Sequence, residues 1–287
     1  LPSQIDISVV IVSYNCLESL KACLGSITAQ EGITYEVIVV DNASDDGTRE
    51  FLKCLKLNKT LLETNIGFGA GINLGASMAQ GAFLFVLNPD TFLPPWTLKA
   101  LYDFACENEN AGLISPLIVW PNGAVQNSAR SLPTRWDFLF GRGSPLFKLR
   151  ITGERRAGYI EPTNDDPIVV PAVSATAAFI RAELFQSLGG FDSRFFMYLE
   201  DIDLCKRIGQ RGMTIWLQPR VKVVHGWRQS SKTRPYFTSY HHHLSVLRYF
   251  RKHHPNQPIR NIMLAIVLSA GFLTSALLIA FGGGIKR

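Results

Sequence analysis

Ile7-Ser8-Val9-Val10-Ile11-Val12 decides the fold class. A short β-branched run with little polar alternation reads as a strand buried on both faces, the habit of a parallel sheet. It is too short for a secretory leader, and no signal peptide is read before it. Working outward, Leu20, Cys23, Leu24 and Ile27 recur at helical spacing and predict a helix over Leu17 to Gln30. A strand follows at Tyr35 to Val40, a helix at Thr48 to Leu55 and a short strand at Thr60 to Leu62. After a glycine-rich turn come a helix from Ala70 to Ala79 and the apolar strand Ala82-Phe83-Leu84-Phe85-Val86-Leu87. Strands and helices alternating at this spacing make an α/β fold with right-handed crossovers.

Ligands bind such sheets at the carboxyl ends of the strands. Three polar loops fall on that edge by topology: Tyr14-Asn15, Asp41-Asn42-Ala43-Ser44-Asp45-Asp46-Gly47 and Asn88-Pro89-Asp90-Thr91. A carboxylate beside a turn-forming proline suits a hard divalent cation, which takes a few carboxylate oxygens and completes its shell with phosphate and water. Downstream, a helix is read near Trp96 to Asn108, a strand at Leu113 to Trp120, and mostly loop over Arg130 to Asp166. Strands at Ile168 to Val173 and Ala177 to Arg181 precede a short helix stopped by Gly189-Gly190. A helix from Glu200 to Arg211, strands at Met213 to Leu217 and Val221 to Val224, and an amphipathic helix over Tyr236 to His254 complete the reading. Glu200, Asp201 and Asp203 cluster at a helix start, where acidic groups complement the macrodipole. Their aromatic approach, Phe195-Phe196-Met197-Tyr198, adds partial burial. Burial beside a like charge raises a carboxyl pKa and makes a better general base.

The 287 residues are enough for a full catalytic domain, and much of the apolar excess lies between Ile262 and Phe281. That uncharged run is long enough to cross a hydrocarbon core and predicts a transmembrane or membrane-embedded helix. Arg248, Arg251, Lys252 and Arg260 precede it and place the bulk of the protein on the cytoplasmic side of the inner membrane. The net charge of +6 concentrates in Arg130, Arg135, Arg142, Lys148, Arg150, Arg155 and Arg156. Such a run reads either as a solvated loop or as a surface that meets anionic lipid headgroups or a pyrophosphate-bearing acceptor; no nucleic-acid motif accompanies it, so no nucleic acid is expected. Five scattered cysteines without a C-x-x-C pair fit reduced thiols. Gly67-Phe68-Gly69-Ala70-Gly71 lacks the spacing of a dinucleotide fingerprint and follows the third strand rather than the first. His241-His242-His243 point in different directions on one helix, so they fit an aromatic and basic interfacial face better than a metal site.

Taken together, Val12-Ser13-Tyr14-Asn15, Val39 to Thr48, Asn65-Ile66-Gly67-Phe68-Gly69-Ala70-Gly71-Ile72-Asn73, Leu87 to Thr91, Gly189-Gly190-Phe191-Asp192, Glu200 to Cys205 and Val224-His225 stand in an order that resembles the family-two inverting glycosyltransferases. The likeness is to the rhamnosyltransferase-type branch and covers almost all of residues 5–255. It implies the GT-A fold, a Rossmann-like, mainly parallel central sheet flanked by helices, over residues 1–234, with a donor half to about 115 and an acceptor half after it. Residues 235–260 would be an amphipathic interfacial helix and 261–284 the membrane helix. The resemblance gives Asp41 the donor base, Tyr14 and Asn15 the lining of that pocket, and Asn65, Gly67 and Asn73 the ground beneath nucleotide and sugar. Asp90, beside Asn88, would ligate Mg²⁺ or Mn²⁺ with His225, and Asp201 would be the catalytic base. Glu200 and Trp227 are acceptor-side candidates, and Trp120 and Trp136 could flank the acceptor or pack as core. Asn88 departs from the usual Asp-x-Asp, so metal binding leans on the phosphates of the donor. The implied partners are a dTDP- or UDP-sugar, with dTDP-L-rhamnose first, a lipid-linked saccharide acceptor and membrane lipids. Rival expectations are a UDP-sugar hexosyl- or galactofuranosyltransferase and a non-catalytic sugar-nucleotide-binding subunit of a membrane complex. Oligomeric state is not written in the sequence.

Overall fold

The computed structural model describes residues 5–139, 158–226 and 235–280, with side chains in the last helix described through Leu273. The N-terminal half runs β1 (Ile7–Ser13), α1 (Leu17–Thr28), β2 (Tyr35–Asp41), α2 (Thr48–Cys54), β3 (Asn58–Leu61), α3 (Phe68–Ala76) and β4 (Phe83–Leu87). Next come β5 (Thr91–Phe92), α4 (Thr97–Glu107), β6 (Ala111–Val119), β7 (Ala129–Arg130) and α5 (Arg135–Leu139). After them follow β8 (Ile168–Val169), β9 (Ala172–Val173), β10 (Ala177–Arg181), α6 (Ala182–Ser187), α7 (Glu200–Gln210), β11 (Thr214–His225), α8 (Pro235–His253) and α9 (Pro258–Ala280).

Among the described residues the main sheet has the order β3-β2-β1-β4-β10-β6-β11-β5, with β8 paired to β11. The strands β1 to β4, β6 and β11 share one direction, while β5, β8 and β10 oppose it. The class is therefore α/β with a mainly parallel sheet. All of β1 is buried, and alternate residues serve two cores. Val10 and Val12 join Val40, Leu84 and Val86 on the face covered by α3, α6 and α7. Ile7, Val9 and Ile11 join Phe83, Phe85 and Leu87 on the face covered by α1 and α4. Two-sided cover is what an unbroken apolar strand requires. Helix α3 lies close on the sheet because a Cβ at Gly75 would stand 2.4 Å from Val10, and one at Gly71 2.8 Å from Val12.

The irregular half differs from its sequence reading in instructive ways. The two strands expected around residues 213–224 are one strand, β11, whose register against β6 shifts between Gln218 and Lys222. The break falls at Pro219, which has no N–H to give a ladder. The strand expected over Ile168 to Val173 is split into β8 and β9, which pair with different partners.

The C-terminal hairpin also needs correction. Among the described residues no helix is long and apolar enough to cross a membrane, so the expected span over 261–284 has no support there. Part of that apolar run faces protein: Leu264 and Leu268 are buried in the same core as Val246, Tyr249 and Phe250 of α8. Its other face, with Ile262, Met263 and Ile266, is exposed. Of the basic run, Arg135 is used internally, donating to Gln257 and Asn261 and lying 4.9 Å over the Phe250 ring. Arg142, Lys148, Arg150, Arg155 and Arg156 fall outside the described residues.

Candidate active site

Strand direction puts Ser13, Asp41, Leu87, Val119 and His225 at one edge of the sheet. Asp41 is fully buried there. It accepts hydrogen bonds from the Ser13 hydroxyl at 3.2 Å, the Ser44 hydroxyl at 2.6 Å and the Ser44 N–H at 3.1 Å. Its carboxylate thus ties the ends of β1 and β2 together, while the half-buried Tyr14 and Asn15 form the outer surface of that corner. Asn15 holds a left-handed backbone (φ 49°) and clamps the same loop, accepting from Asp45 N–H while its own N–H donates to Ser44.

Asn42, quoted in the sequence motif without a role, is an anchor. Its amide accepts from Ile66 N–H at 2.8 Å and donates to the Gly67 carbonyl at 3.2 Å. Asn65 accepts from Gly67 N–H. The loop at residues 65–67 is therefore held in place by Asn42 and by its own turn. Asn73 spends its amide elsewhere: it donates to the Phe191 carbonyl at 2.7 Å and accepts from Phe191 N–H at 2.8 Å. That reciprocal pair, with the Phe68 N–H to Phe196 carbonyl bond at 3.1 Å, stitches α3 to the segment leading into α7.

Asp90 and His225 meet, as their placement at strand ends predicts. Their Oδ1 and Nε2 atoms are 3.1 Å apart, and both side chains are largely buried. Pairing of Thr91 with His225 across β5 and β11 sets the contact. Two electron-rich atoms at that separation need a proton or a cation between them. Asn88 is half-buried; its backbone N–H donates to Thr176 and its carbonyl accepts from the Thr91 hydroxyl. Among the described residues no group of three or more His, Cys, Asp or Glu side chains could hold a metal. The pair fits a divalent ion only as a partial shell that phosphate and water would complete.

Glu200 and Asp201 open α7 after two consecutive left-handed residues, Tyr198 (φ 66°) and Leu199 (φ 65°). Such residues cost roughly 1–2 kcal/mol each and persist only where surrounding contacts over-determine them. Asp201 is 14% exposed and faces the guanidinium of Arg130 at 3.9 Å. Glu200 is buried, and among the described residues its Oε2 finds no hydrogen-bond partner. Burial, and then the neighbouring Asp201 charge, push its carboxyl up to about 8. Asp203 on the opposite side of α7 is fully buried among Arg207 at 2.8 Å, Lys252 at 2.6 Å and His253 at 2.8 Å. Sequence spacing alone does not separate these three carboxylates, but burial and partners do.

A continuous set of contacts joins the two acidic sites. Arg130 of β7 pairs with Ala172 of β9. Ser174 N–H then donates to Ser128, and the Thr176 carbonyl accepts from Asn88 N–H. Arg130 appeared in the sequence only as one cation in a basic run, and a two-residue strand carries no periodicity to reveal it. Trp136 is exposed, and Trp227 lies outside the described residues. The histidine run packs against aromatic rings, with His241 4.4 Å from Phe196 and His243 6.1 Å from Phe272.

The sequence matches the family described as glycosyl transferase family 2 over residues 8–189. It is 30% identical over 261 residues to an N-acetylglucosaminyl-diphospho-decaprenol L-rhamnosyltransferase of Mycobacterium tuberculosis, covering 86% of this chain and 84% of that one. The low-salt glycan biosynthesis hexosyltransferase Agl10 of Haloferax volcanii is 26% identical over 77% of this chain and 67% of its own. Among solved structures, S. aureus TarS 1-349 in complex with UDP is similar at a TM-score of 0.56 and 19% identity, over 86% of this chain and 66% of that one. GalNAc-T7 with UDP, GalNAc and Mn²⁺ is similar at a TM-score of 0.61 and 19% identity, over 89% and 55%. The structural likenesses establish the α/β GT-A-like fold. Since the family match spans everything from β1 to the glycine pair after α6, the chain belongs to glycosyl transferase family 2.

Proposed function

We propose that this protein is a membrane-associated inverting glycosyltransferase that moves a sugar from a nucleotide donor to a lipid-linked saccharide at the cytoplasmic face of the inner membrane. The observation that carries the reading is the meeting of Asp90 and His225 at the carboxyl edge of the main sheet, with a second acidic group at the start of α7. Asp90 and His225 converge at 3.1 Å, and Asp201 is reached from them through β9 and β7. Asp201 takes the proton from the acceptor hydroxyl as its oxygen bonds to the anomeric carbon. The bond from that carbon to the diphosphate oxygen breaks, and the electron pair leaves with the nucleotide. Inversion follows from a single displacement of this kind. Mg²⁺ or Mn²⁺ held by Asp90 and His225 would offset the charge of the departing diphosphate. Tyr14 and Asn15, with Asp41 behind them, form the nucleotide side, and Arg130 and Glu200 stand on the acceptor side.

L-Rhamnose from a dTDP donor is the leading sugar, because the Mycobacterium tuberculosis relative named for L-rhamnose transfer matches across most of both chains. The exposed apolar face of α9 supports attachment to a membrane surface. Thermal-shift titration with dTDP-, UDP- and GDP-sugars in Mg²⁺ or Mn²⁺ tests the donor, and stabilisation by dTDP-L-rhamnose above the others is expected. Asp201→Asn should abolish transfer with donor binding near normal. Retained turnover in that variant would overturn the base assignment.

A further inference from the structure

Gln126 belongs to a tight turn that brings the chain back from β6. Trp120 N–H donates to the Ala124 carbonyl, Gly123 N–H to the Trp120 carbonyl, and Gln126 N–H to the Ile118 carbonyl, each at 2.8 Å. Val119 and Val125 bridge across it. The turn places the Gln126 side chain beside the last residue of β11. Its amide nitrogen donates to the His225 carbonyl at 2.7 Å, and its amide oxygen lies 2.9 Å from His225 Nδ1.

The two contacts settle each other. A carbonyl oxygen only accepts, so the group facing it must be the NH₂ end of the amide. The oxygen end then faces Nδ1, and an acceptor there requires Nδ1 to carry the proton. The ring is left with Nε2 directed at Asp90 Oδ1, 3.1 Å away. A histidine that ligates a metal characteristically donates its other ring N–H to an oxygen acceptor, which fixes tautomer and ring angle together.

We propose that Gln126 is a positioning residue that locks His225 in the Nδ1–H tautomer and aims Nε2 with Asp90 at the divalent cation. This rests on the cation reading given above. The lock also ties the cation site to the turn carrying Trp120, so that turn and the His225 ring share one set of hydrogen bonds. Leucine at this position fills similar space without either bond. Glutamate keeps an acceptor for Nδ1–H but loses the donor to the His225 carbonyl.

Two measurements on the full chain test it. In ¹⁵N-histidine-labelled protein with Mg²⁺ and dTDP or UDP, long-range ¹⁵N–¹H correlation should show His225 protonated at Nδ1 and bare at Nε2, its signals assigned by their loss in His225→Gln. Gln126→Leu should show mixed tautomers, and Gln126→Glu should recover the Nδ1–H form. Mn²⁺ titrated by electron paramagnetic resonance, with and without dTDP or UDP, should bind roughly 10–100-fold more weakly to Gln126→Leu, and Gln126→Glu should fall between. Melting curves confirm that each variant is folded. A folded Gln126→Leu with wild-type Mn²⁺ affinity, or with the Nδ1–H tautomer intact, overturns the proposal. Wild-type protein that binds no Mn²⁺ with either nucleotide overturns the cation reading and the aiming role with it, whatever tautomer His225 shows.

Discussion

Gly67 offers the sharpest test of how the loop at residues 65–67 and the approach to α7 are joined. It has φ +87° and ψ 167°, a backbone region that is essentially glycine's alone and costs other residues about 1–3 kcal/mol. A Cβ there would stand 2.4 Å from the Phe196 carbonyl oxygen and 3.0 Å from its Cα. Restoring ordinary contact means a retreat of about 1 Å by Phe196. That retreat breaks the Phe68 N–H to Phe196 carbonyl bond, worth about 1 kcal/mol. Gly67→Ala should therefore lose roughly 2–4 kcal/mol, a fall in Tm of about 3–7 °C for a chain of this size. Since Phe196 lies on the approach to Glu200 and Asp201, a 1 Å displacement there should also lower kcat by about a hundredfold. Gly212→Ala is the control: φ is +76°, but nothing stands within 4 Å of its Cβ. It should cost about 1 kcal/mol and leave kcat alone. Melting and steady-state kinetics at saturating donor read both. If Gly67→Ala weakens donor affinity and leaves saturated kcat untouched, Gly67 serves the donor directly and the coupling to Phe196 is wrong.

Glu200→Gln should change how stability depends on pH. The carboxyl sits at about 8 in the fold against an ordinary value of 4.5, so the folded state holds a proton that the unfolded chain releases. Wild-type stability must then fall as pH rises from about 4.5 to 8, by as much as on the order of 4 kcal/mol, and flatten above that. The glutamine variant lacks this slope, so its Tm should gain on the wild type steadily from pH 5 to 8; parallel Tm curves would contradict the buried, protonated carboxyl. On α9, replacing Ile262, Met263 and Ile266 with serine leaves the buried Leu264 and Leu268 in place. If the outer face meets lipid, each loss costs about 1.5 kcal/mol of insertion, and co-sedimentation with vesicles should drop at least about a hundredfold. Unchanged sedimentation of a folded triple variant would remove α9 as the attachment face.

The N-terminal half was legible because its physics is local. Ile7 to Val12 and Phe83 to Leu87 are strands covered on both faces, and such strands advertise themselves by composition. The carboxyl ends Asp41, Asp90 and His225 follow from topology. The rest depends on partners far away in sequence. Asn73 bonds a backbone 118 residues distant, and no local pattern can announce that. Arg130 looked like surface charge because β7 and β9 are two residues each. Gln126 lies in a turn whose purpose depends on β11 arriving beside it. The apolar run of α9 misled for another reason: a hydropathy pattern records the absence of water, and protein can supply that as well as lipid. Leu264 and Leu268 turn to Val246 and Tyr249 instead.

The candidate base is also held from the C-terminal side. Helix α7 presents Asp201 to Arg130 on one side, while on the other Asp203 receives Lys252 and His253 from α8. Burial opposes the Asp203 charge, but the hydrogen bonds from His253 and Lys252 and the nearby Arg207 outweigh it and hold the carboxyl below its usual range. A buried carboxylate stripped of such partners costs several kcal/mol, so α8 cannot leave without unsettling α7. The same helix grips the approach to α7. Ser245 donates to the Met197 carbonyl at 2.8 Å, Arg248 donates to the Arg194 carbonyl, and Lys252 reaches Asp192 at 2.7 Å. Those contacts bracket the left-handed pair Tyr198 and Leu199, whose strain of roughly 1–2 kcal/mol each must be offset nearby. The position of Asp201 is therefore set jointly by α3, through Asn73 and Gly67, and by α8. The hairpin that carries the exposed apolar face is part of the scaffold that holds Asp201, and its removal by truncation would report on that scaffold as much as on membranes.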